Sequence, residues 1–95
     1  MSQYPFHVQA SETGGHTRHV TVTIDVNDEQ PAQKVLGYLR SIQLKNDFMN
    51  SWMSENASGY GLEIRNGPRP VFEDPNDRTS SVVAYAQDFR LTRSV

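Results

Sequence analysis

Cysteine is absent from the 95 residues of this chain. The chain therefore has no disulfide, no thiolate metal ligand and no thiol nucleophile. Long apolar runs are missing too, since none approaches the roughly 18 residues that a transmembrane helix needs. The N-terminal segment Met-Ser-Gln-Tyr-Pro has neither the basic nor the apolar region of a signal peptide. These absences predict a cytoplasmic protein that has no membrane segment and no membrane partner.

Sequence signatures of catalysis are also absent. No serine lies in a nucleophile elbow, no glycine-rich phosphate loop precedes a helix, and no zincin histidine–glutamate pattern occurs. The formal net charge of −2, from 9 basic and 11 acidic residues, does not indicate nucleic acid as a partner. We therefore expect a protein that is not an enzyme and that needs no cofactor.

The length and the order of patterns define one small domain. Ninety-five residues fit a single domain, 1–95, with one thin core. A β-hairpin pattern comes first, a long helix that contains a kink follows, and two or three strands come last. This order predicts an α+β fold in which the helix packs on one face of a mostly antiparallel sheet.

Two alternating segments predict the opening hairpin. Apolar residues occupy every second position in Tyr4–Glu12 and again in His16–Val26, as in strands that bury one face. Directly opposed residues of an antiparallel pair share a face, so a two-residue turn at the glycine pair would mix the two faces. The pattern instead predicts a three-residue or bulged turn, with Val8 opposite Val20 or Val22.

The segment from Asn27 to Ser58 has the only long helical period in the chain. Asn27 or Asp28 is its predicted N-cap, and Gly59 or Asn56 its left-handed stop. The first half has the apolar spacing of an amphipathic helix that packs on a sheet. The residues of this predicted buried stripe are Ala32, Val35, Leu36, Leu39 and Ile42.

A single straight helix does not suit this segment. From Glu29 to Ser54 it would measure about 39 Å, which exceeds the diameter of roughly 32 Å expected for a compact domain of this size. The apolar pattern also changes phase midway. We therefore predict a kink or short break near Gln43–Asn46, with Asn46 capping a second helix.

The second half of the segment carries an apolar ladder with a different phase. Aromatic and methionine side chains are enriched at the cores of protein interfaces, so this ladder is the predicted docking surface. The predicted partner-binding residues are Leu44, Phe48, Met49, Trp52 and Met53. The alternative is that Val71, Phe72 and the loop of residues 66–80 cover the ladder and make it part of the core.

Strand patterns return after the helix. Tyr60–Arg65 is a predicted short strand, Asn66–Pro70 a turn, and Val71–Phe72 a brief strand or a packing segment. Ser81–Leu91 carries apolar residues on both faces, which predicts a strand that is central in the sheet or covered by a loop. A helix over Val82–Phe89 is the competing prediction.

Hairpin, helix and then strands is the order of elements in the β-grasp, or ubiquitin-like, fold. The resemblance is carried by the first alternating strand, by the turn Thr13-Gly14-Gly15, by Ile24-Asp25-Val26 and by the helix start Asn27-Asp28. Within that fold, Met1–His7 and Val22–Asp28 are similar to the small ubiquitin-like subunit of bacterial toluene-type diiron monooxygenases. The similarity covers roughly the first forty residues, and the stretch Phe48–Trp52 has no counterpart in that family. The resemblance implies a non-catalytic accessory subunit that docks on a larger protein.

The missing catalytic chemistry and the second apolar ladder lead to the same class of function. We expect a small non-enzymatic protein-binding domain, such as an accessory subunit, an adaptor or an inhibitor of a larger protein. The sequence also leaves open an association between copies of the chain.

Two alternatives rest on polar residues. A nucleic-acid-binding domain would use four C-terminal arginines, opposed by Glu63 and Asp88 and with Tyr60 and Tyr85 nearby. These arginines are Arg65, Arg69, Arg90 and Arg93. A small metal-dependent domain would use the outward-facing His7 and His19 of the hairpin as ligands for Zn²⁺ or Ni²⁺, with Asp25 or Glu12 as a third ligand.

Overall fold

A computed structural model describes residues 6–12 and 16–93 of the chain. Its elements are β1 His7–Glu12, β2 Thr17–Asp25, α1 Ala32–Leu39, α2 Ile42–Phe48, β3 Tyr60–Ile64, β4 Arg69–Phe72 and β5 Val82–Arg93. A π-helical turn, Met49–Met53, and a short α-helical turn, Ser54–Asn56, join α2 to β3. The predicted α+β class is confirmed, with α1 and α2 packed against an antiparallel sheet.

The sheet is antiparallel throughout the described residues. Its strand order is β1-β2-β5-β3, and β4 pairs with the first half of β5 on the edge that also carries β3. The order hairpin, helices, strands is compatible with a β-grasp-like fold, and it is the second strand of the hairpin that lies beside β5. Val8 lies opposite Val22, which is one of the two predicted registers. The predicted turn at residues 13–15 lies outside the described residues.

The last strand is the centre of the sheet. β5 pairs with β2 along one edge and with β3 and β4 along the other. Phe89 and Leu91 are buried on the face that the helices cover, and Ala84 and Ala86 are buried on the opposite face. The predicted central strand is thus confirmed, and the competing helix over Val82–Phe89 is wrong, because apolar residues on both sides suit a strand with neighbours at both edges.

Phe48 is central to the hydrophobic core. Its side chain is fully buried, and its ring stacks at 5.4 Å, centroid to centroid, on Phe89 of β5. The core joins one face of the hairpin to the inward sides of α1 and α2. Its buried residues are Phe6, Val20, Val22, Ile24, Val35, Leu39, Leu44, Phe48, Met53, Ala57, Phe89 and Leu91.

The helical segment breaks earlier than predicted. α1 ends at Leu39, and Ser41 is the N-cap of α2, its hydroxyl oxygen accepting from the Leu44 N–H at 3.4 Å. The Ser41 hydroxyl also donates to the carbonyl of Tyr38 at 2.6 Å. A break is therefore confirmed, but the predicted position at Gln43–Asn46 and the predicted cap at Asn46 are wrong, because the serine hydroxyl satisfies both helix ends at once.

The start of the first helix was also predicted too early. The Asn27 side-chain oxygen accepts from the N–H groups of Glu29 at 2.9 Å and Gln30 at 2.8 Å. This side chain closes a turn on its own backbone, as asparagine often does. The helix begins only at Ala32, with Pro31 as its N-cap.

The helical segment ends through a widened turn. In the π-helical turn Met49–Met53, hydrogen bonds join residues five apart, so one more residue is fitted into the turn than in an α-helix. Phe48 and Met53 consequently both face the core, where both are buried. The helical segment ends at Asn56 with Ala57 as its C-cap. Gly59 follows in the turn before β3 with a φ of +88°, a conformation that glycine adopts without steric strain, so the predicted left-handed glycine is present but lies beyond the helix end.

A break in the outer edge strand separates β3 from β4. The register places Ile64 opposite Phe89 and Arg69 opposite Ala86, so the β3–β4 chain contains two more residues than β5 over this span. Asn66 has a φ of +59°, which turns the chain out of the strand. The predicted turn after β3 is confirmed, and β4 begins two residues before the predicted Val71.

Candidate functional site

The structure divides the five predicted partner-binding residues between core and surface. Leu44, Phe48 and Met53 are buried in the core. Trp52 is half-buried against that core, and Met49 is 44% exposed. The partner-binding prediction therefore has to be corrected for Leu44, Phe48 and Met53, because the sheet covers them.

Aromatic stacking explains why the ladder is part of the core. The Phe48 ring lies 5.5 Å from Trp52, nearly parallel at 6°, and 6.1 Å from Phe6 at a tilt of 60°. With Phe89 on β5, these rings form one continuous aromatic cluster between α2 and the sheet. Within the described chain, the core cluster includes no residue of the 66–80 loop that was the predicted cover.

Arg18 lies over the ring of Trp52. Its guanidinium carbon lies 5.4 Å from the indole centroid, within the range of a cation–π contact. The Arg18 Nη1 also donates to the carbonyl of Asn56 at 3.0 Å. β2 thereby holds the end of the helical segment in place, and the ring of Trp52 contacts both Arg18 and Phe48 within the domain.

The side of α2 that faces away from the core carries two exposed apolar residues. Ile42 is 68% exposed and Met49 is 44% exposed. The two are seven residues apart, which places them on the same helical face, opposite the buried Leu44 and Phe48. The candidate functional site, called the outer α2 face below, is formed by Ile42, Lys45, Asn46 and Met49.

A shallow cavity continues this apolar surface toward β3. Its volume is about 230 Å³, and Met49, Met53 and Tyr60 contribute to its lining. Because Met53 is buried at its base while Met49 is exposed, a partner side chain that reaches past Met49 would meet apolar atoms. The cavity therefore extends the outer α2 face without being a separate site.

Ile42 is the residue of this site that the sequence pattern misassigned. It was predicted to belong to the buried stripe of the first helix, and this prediction is wrong. The break after Leu39 rotates Ile42 into the phase of α2, whose inward positions are Leu44 and Phe48. The signal that could have revealed this is Ser41, a favoured N-cap residue directly before an apolar helical run.

A second cavity, of about 260 Å³, lies between α1, α2 and β2. The Tyr38 hydroxyl donates to the Asp47 carboxylate at 2.5 Å beside this cavity. Burial, and then the hydrogen bond to Asp47, raise the pKa of Tyr38 well above its usual value. Tyr38 thus keeps its proton and joins α1 to α2, while the cavity is smaller than the roughly 300 Å³ at which small-molecule pockets begin.

Three of the four arginines of the nucleic-acid alternative lie beside carboxylates. Arg69 donates through Nε and Nη2 to the two carboxylate oxygens of Asp88, both at 3.2 Å. Arg90 donates to Glu63 at 2.5 Å, and Arg65 lies 3.5 Å from the same carboxylate. Asp88 balances the charge of Arg69, and Glu63 is shared by Arg65 and Arg90, so the pairing reduces the positive charge available for phosphate binding.

The strand register determines on which face of the sheet these groups lie. Strand alternation places Arg65, Arg69 and Arg90 on the face opposite the helices, and Arg93 on the helix-covered side. Tyr60 and Tyr85 lie partly buried against the core on the helix-covered side, so they offer no stacking platform beside Arg65, Arg69 and Arg90. The arrangement does not favour single-stranded nucleic acid as a ligand.

The Asp88 carboxylate should make the stability of the domain depend on pH. Hydrogen bonds from Arg69, and less strongly from the Thr21 hydroxyl at 2.8 Å, lower the pKa of Asp88, while burial opposes the shift. Because the folded-state pKa is below the unfolded value of about 3.9, the ionised carboxylate stabilises the fold above that pH. This stabilisation is lost as the pH falls through the folded-state pKa. We expect Asp88→Asn to lower the urea midpoint at pH 7.

The same comparison at acidic pH is the control for this prediction. As the pH falls through the lowered folded-state pKa, the wild-type carboxyl also becomes protonated, so the difference in urea midpoint between wild type and Asp88→Asn should shrink. A difference that stays constant from pH 7 to pH 2 would show that Asp88 acts through shape alone.

The structure does not bring the two histidines of the metal alternative together. His7 lies opposite Thr23, four positions along β2 from His19, which corresponds to roughly 14 Å along the strand. The His7 Nε2 lies 3.3 Å from Asp25 Oδ2 in an exposed contact, and the Glu12 side chain lies outside the described residues. In residues 6–12 and 16–93, no group of three or more potential ligands is placed to hold a metal ion.

Comparisons with known proteins give no family assignment. Neither a protein-family model, nor a curated protein, nor a solved structure matches the chain at a significant level. Among the described residues, no helix has the length and apolar character needed to cross a membrane.

Proposed function

We propose that this protein is a small non-enzymatic protein-binding domain that docks on a larger protein through the outer α2 face. The supporting observation is the pair Ile42 and Met49, two of the four exposed large apolar side chains of the described residues, which share one helical face. Exposed apolar residues grouped on a surface are typical of docking sites. An accessory subunit, an adaptor or an inhibitor would use such a surface.

The side chains of the outer α2 face indicate what kind of partner surface would be complementary to it. Ile42 and Met49 supply apolar contact area, and methionine adapts readily to an irregular partner surface. Lys45 and Asn46 lie between them on the helix, where they can pair with a carboxylate and with a hydrogen-bonding group at the rim of an apolar groove. The proposed partner surface is therefore an apolar groove with an acidic rim.

The residues of the predicted site that are buried in the core would support docking indirectly, by positioning α2. Leu44 and Phe48 anchor α2 on the sheet and thereby present Ile42 and Met49 outward. A rigid helix loses little conformational entropy on binding, which favours affinity. The resemblance of the first residues to the small subunit of toluene-type diiron monooxygenases also suggests an accessory subunit.

Acidic substitutions on the outer α2 face should abolish docking without unfolding the domain. We expect Ile42→Glu and Met49→Glu each to reduce capture of the partner by about tenfold or more, the size typical of a central interface residue. Both side chains are exposed, and a glutamate at Ile42 lies in the first turn of α2, where the helix dipole favours negative charge. The measurement is quantitative mass spectrometry of proteins retained from source-cell extract by the immobilised wild type and variants.

Gln33→Glu provides the matched control. Gln33 is exposed on α1, so this variant introduces the same charge outside the proposed site and should retain the partner at the wild-type level. Thermal unfolding checks that all three variants stay folded. If folded Ile42→Glu and Met49→Glu retain the same proteins as the wild type, the outer α2 face is not the docking site.

A further inference from the structure

The strand β3 forms an edge of the sheet that is poorly protected against pairing with another strand. It pairs with β5 along one side, and no other strand of the described chain lies along its other side. The neighbouring edge strand β4 contains Pro70, which cannot donate a hydrogen bond and commonly protects sheet edges. β3 has no proline, and its Ile64 is 51% exposed.

The hydrogen-bond pattern shows which backbone groups of β3 point outward. The Arg65 N–H donates to the carbonyl of Asp88 at 3.0 Å, and these two residues are in register with the β3–β5 pairing. In an antiparallel ladder, hydrogen-bonded pairs alternate along the strand, so Gly61 and Glu63 also bond toward β5. The N–H and C=O groups of Leu62 and Ile64 consequently point to the free edge.

We propose that β3 pairs antiparallel with β3 of a second copy of this chain, with the two-fold axis at Leu62. In this register Leu62 faces its own counterpart, and Tyr60 of each copy faces Ile64 of the other. An aromatic residue opposite a β-branched one is a favourable cross-strand pair. The outward N–H and C=O groups of Leu62 and the outward N–H of Ile64 then find partners, and the two sheets become continuous. The Tyr60 N–H already donates to the carbonyl of Ala57 at 3.2 Å, so the pairing is held chiefly at Leu62.

The charged residue of the strand agrees with this register. Glu63 falls opposite Gly61 of the second copy, so the two carboxylates do not face one another, as they would with the axis at Glu63. Within its own chain, Glu63 is held by Arg90, whose hydrogen bond lowers the pKa of the carboxylate. An axis at Ile64 would shorten the pairing, because the chain leaves the strand at Asn66, where φ is +59°.

The proposed contact is small. A pair of five-residue strands buries less than the roughly 1,200 Å² of a standard stable interface, so association should be weak and should depend on concentration. The proposal does not depend on docking at the outer α2 face, because it uses the edge of β3 and backbone groups.

Sedimentation of the full chain over a range of about 10 µM to about 1 mM tests the association. We expect the wild type to shift from monomer toward dimer, and Ile64→Lys to raise the dissociation constant about tenfold or more, because a charge directed along an edge strand opposes pairing. Val83→Lys is the matched control, since Val83 is an exposed β-branched residue of β5. A wild type that remains monomeric over this range would overturn the proposal.

Single cysteines test the register, because the chain has none of its own. Under mild oxidation, Leu62→Cys should form a disulfide-linked dimer, since the two sulfurs lie at the axis. Ile64→Cys should not, because its two copies lie about four residues, or roughly 14 Å, apart. Circular dichroism verifies the fold of both variants, and preferential cross-linking of folded Ile64→Cys would overturn the proposed axis.

Discussion

Replacing Phe48 with alanine should lower the free energy of unfolding by about 3–5 kcal/mol. Phe48 is fully buried, and its ring lies against Phe6, Trp52 and Phe89. Its removal would leave a cavity that α2 cannot close, since Leu44 and Met53 already occupy the neighbouring core positions. Urea unfolding followed by circular dichroism measures the loss without relying on the emission of Trp52.

Two further variants separate packing from exposure. Phe48→Leu retains much of the side-chain volume and should cost less than the alanine variant. Met49→Ala changes the next residue in the chain, which faces solvent, and should alter the free energy of unfolding by no more than about 0.5 kcal/mol. A loss of less than about 1 kcal/mol for Phe48→Ala would contradict the central place of this ring in the core.

Replacing Gln87 with leucine should lower the free energy of unfolding by about 1–3 kcal/mol. Gln87 is buried, and its side-chain nitrogen donates to the carbonyls of Asn66 at 2.6 Å and Arg65 at 3.3 Å. These carbonyls lie at the break between β3 and β4, where the regular ladder cannot supply their partners. Leucine fills a similar space and leaves both oxygens without this donor. Urea unfolding measures the loss.

The chemistry of the Gln87 side chain can be tested with a near-isosteric change. Gln87→Glu keeps the shape but directs carboxylate oxygens at two carbonyl oxygens, so it should destabilise the fold at pH 7 and recover as acid protonates the carboxyl. Gln43→Leu, at an exposed position of α2, should change stability by no more than about 0.5 kcal/mol. A neutral Gln87→Leu would mean that other groups satisfy the Arg65 and Asn66 carbonyls.

Local patterns were sufficient to predict the strands and the fold class. The alternation through Val20, Val22 and Ile24 is a direct consequence of strand geometry, and these residues are buried as a set. The apolar residues on both faces of β5 likewise predicted its central place, because only a strand with two neighbours and a covered second face buries both sides.

The helical region was predicted less well because its phase depends on one residue. Ser41 ends α1 and starts α2, and this single cap moves Ile42 from the expected core to the surface. Leu44 and Phe48 were predicted on the docking surface and lie in the core, since α2 in this phase points them at the sheet. The apolar period alone could not distinguish a core ladder from a docking surface, because both need the same residue types at the same spacing.

The rest of the candidate site depends on long-range contacts that a linear pattern does not contain. Arg69 and Asp88 are separated by nineteen positions, and Arg90 and Glu63 by twenty-seven. Glu63 and Arg90 are directly opposite in the β3–β5 register, and the β4–β5 register brings Arg69 near Asp88. Neither register can be read from a local motif. The four arginines therefore formed a basic patch in the sequence, whereas in the structure Arg65, Arg69 and Arg90 lie beside carboxylates.

The π-helical turn has a consequence for how this chain can be aligned with others. It fits one additional residue between Phe48 and Met53 while keeping both in the core. In a strand, an additional residue would exchange the two faces, but a helix can take it up within a single widened turn. A protein with the same fold and a regular α-helix here would align with this chain only through a one-residue gap inside the helix. An alignment that forbids gaps in helices would misplace every position from Met53 onward.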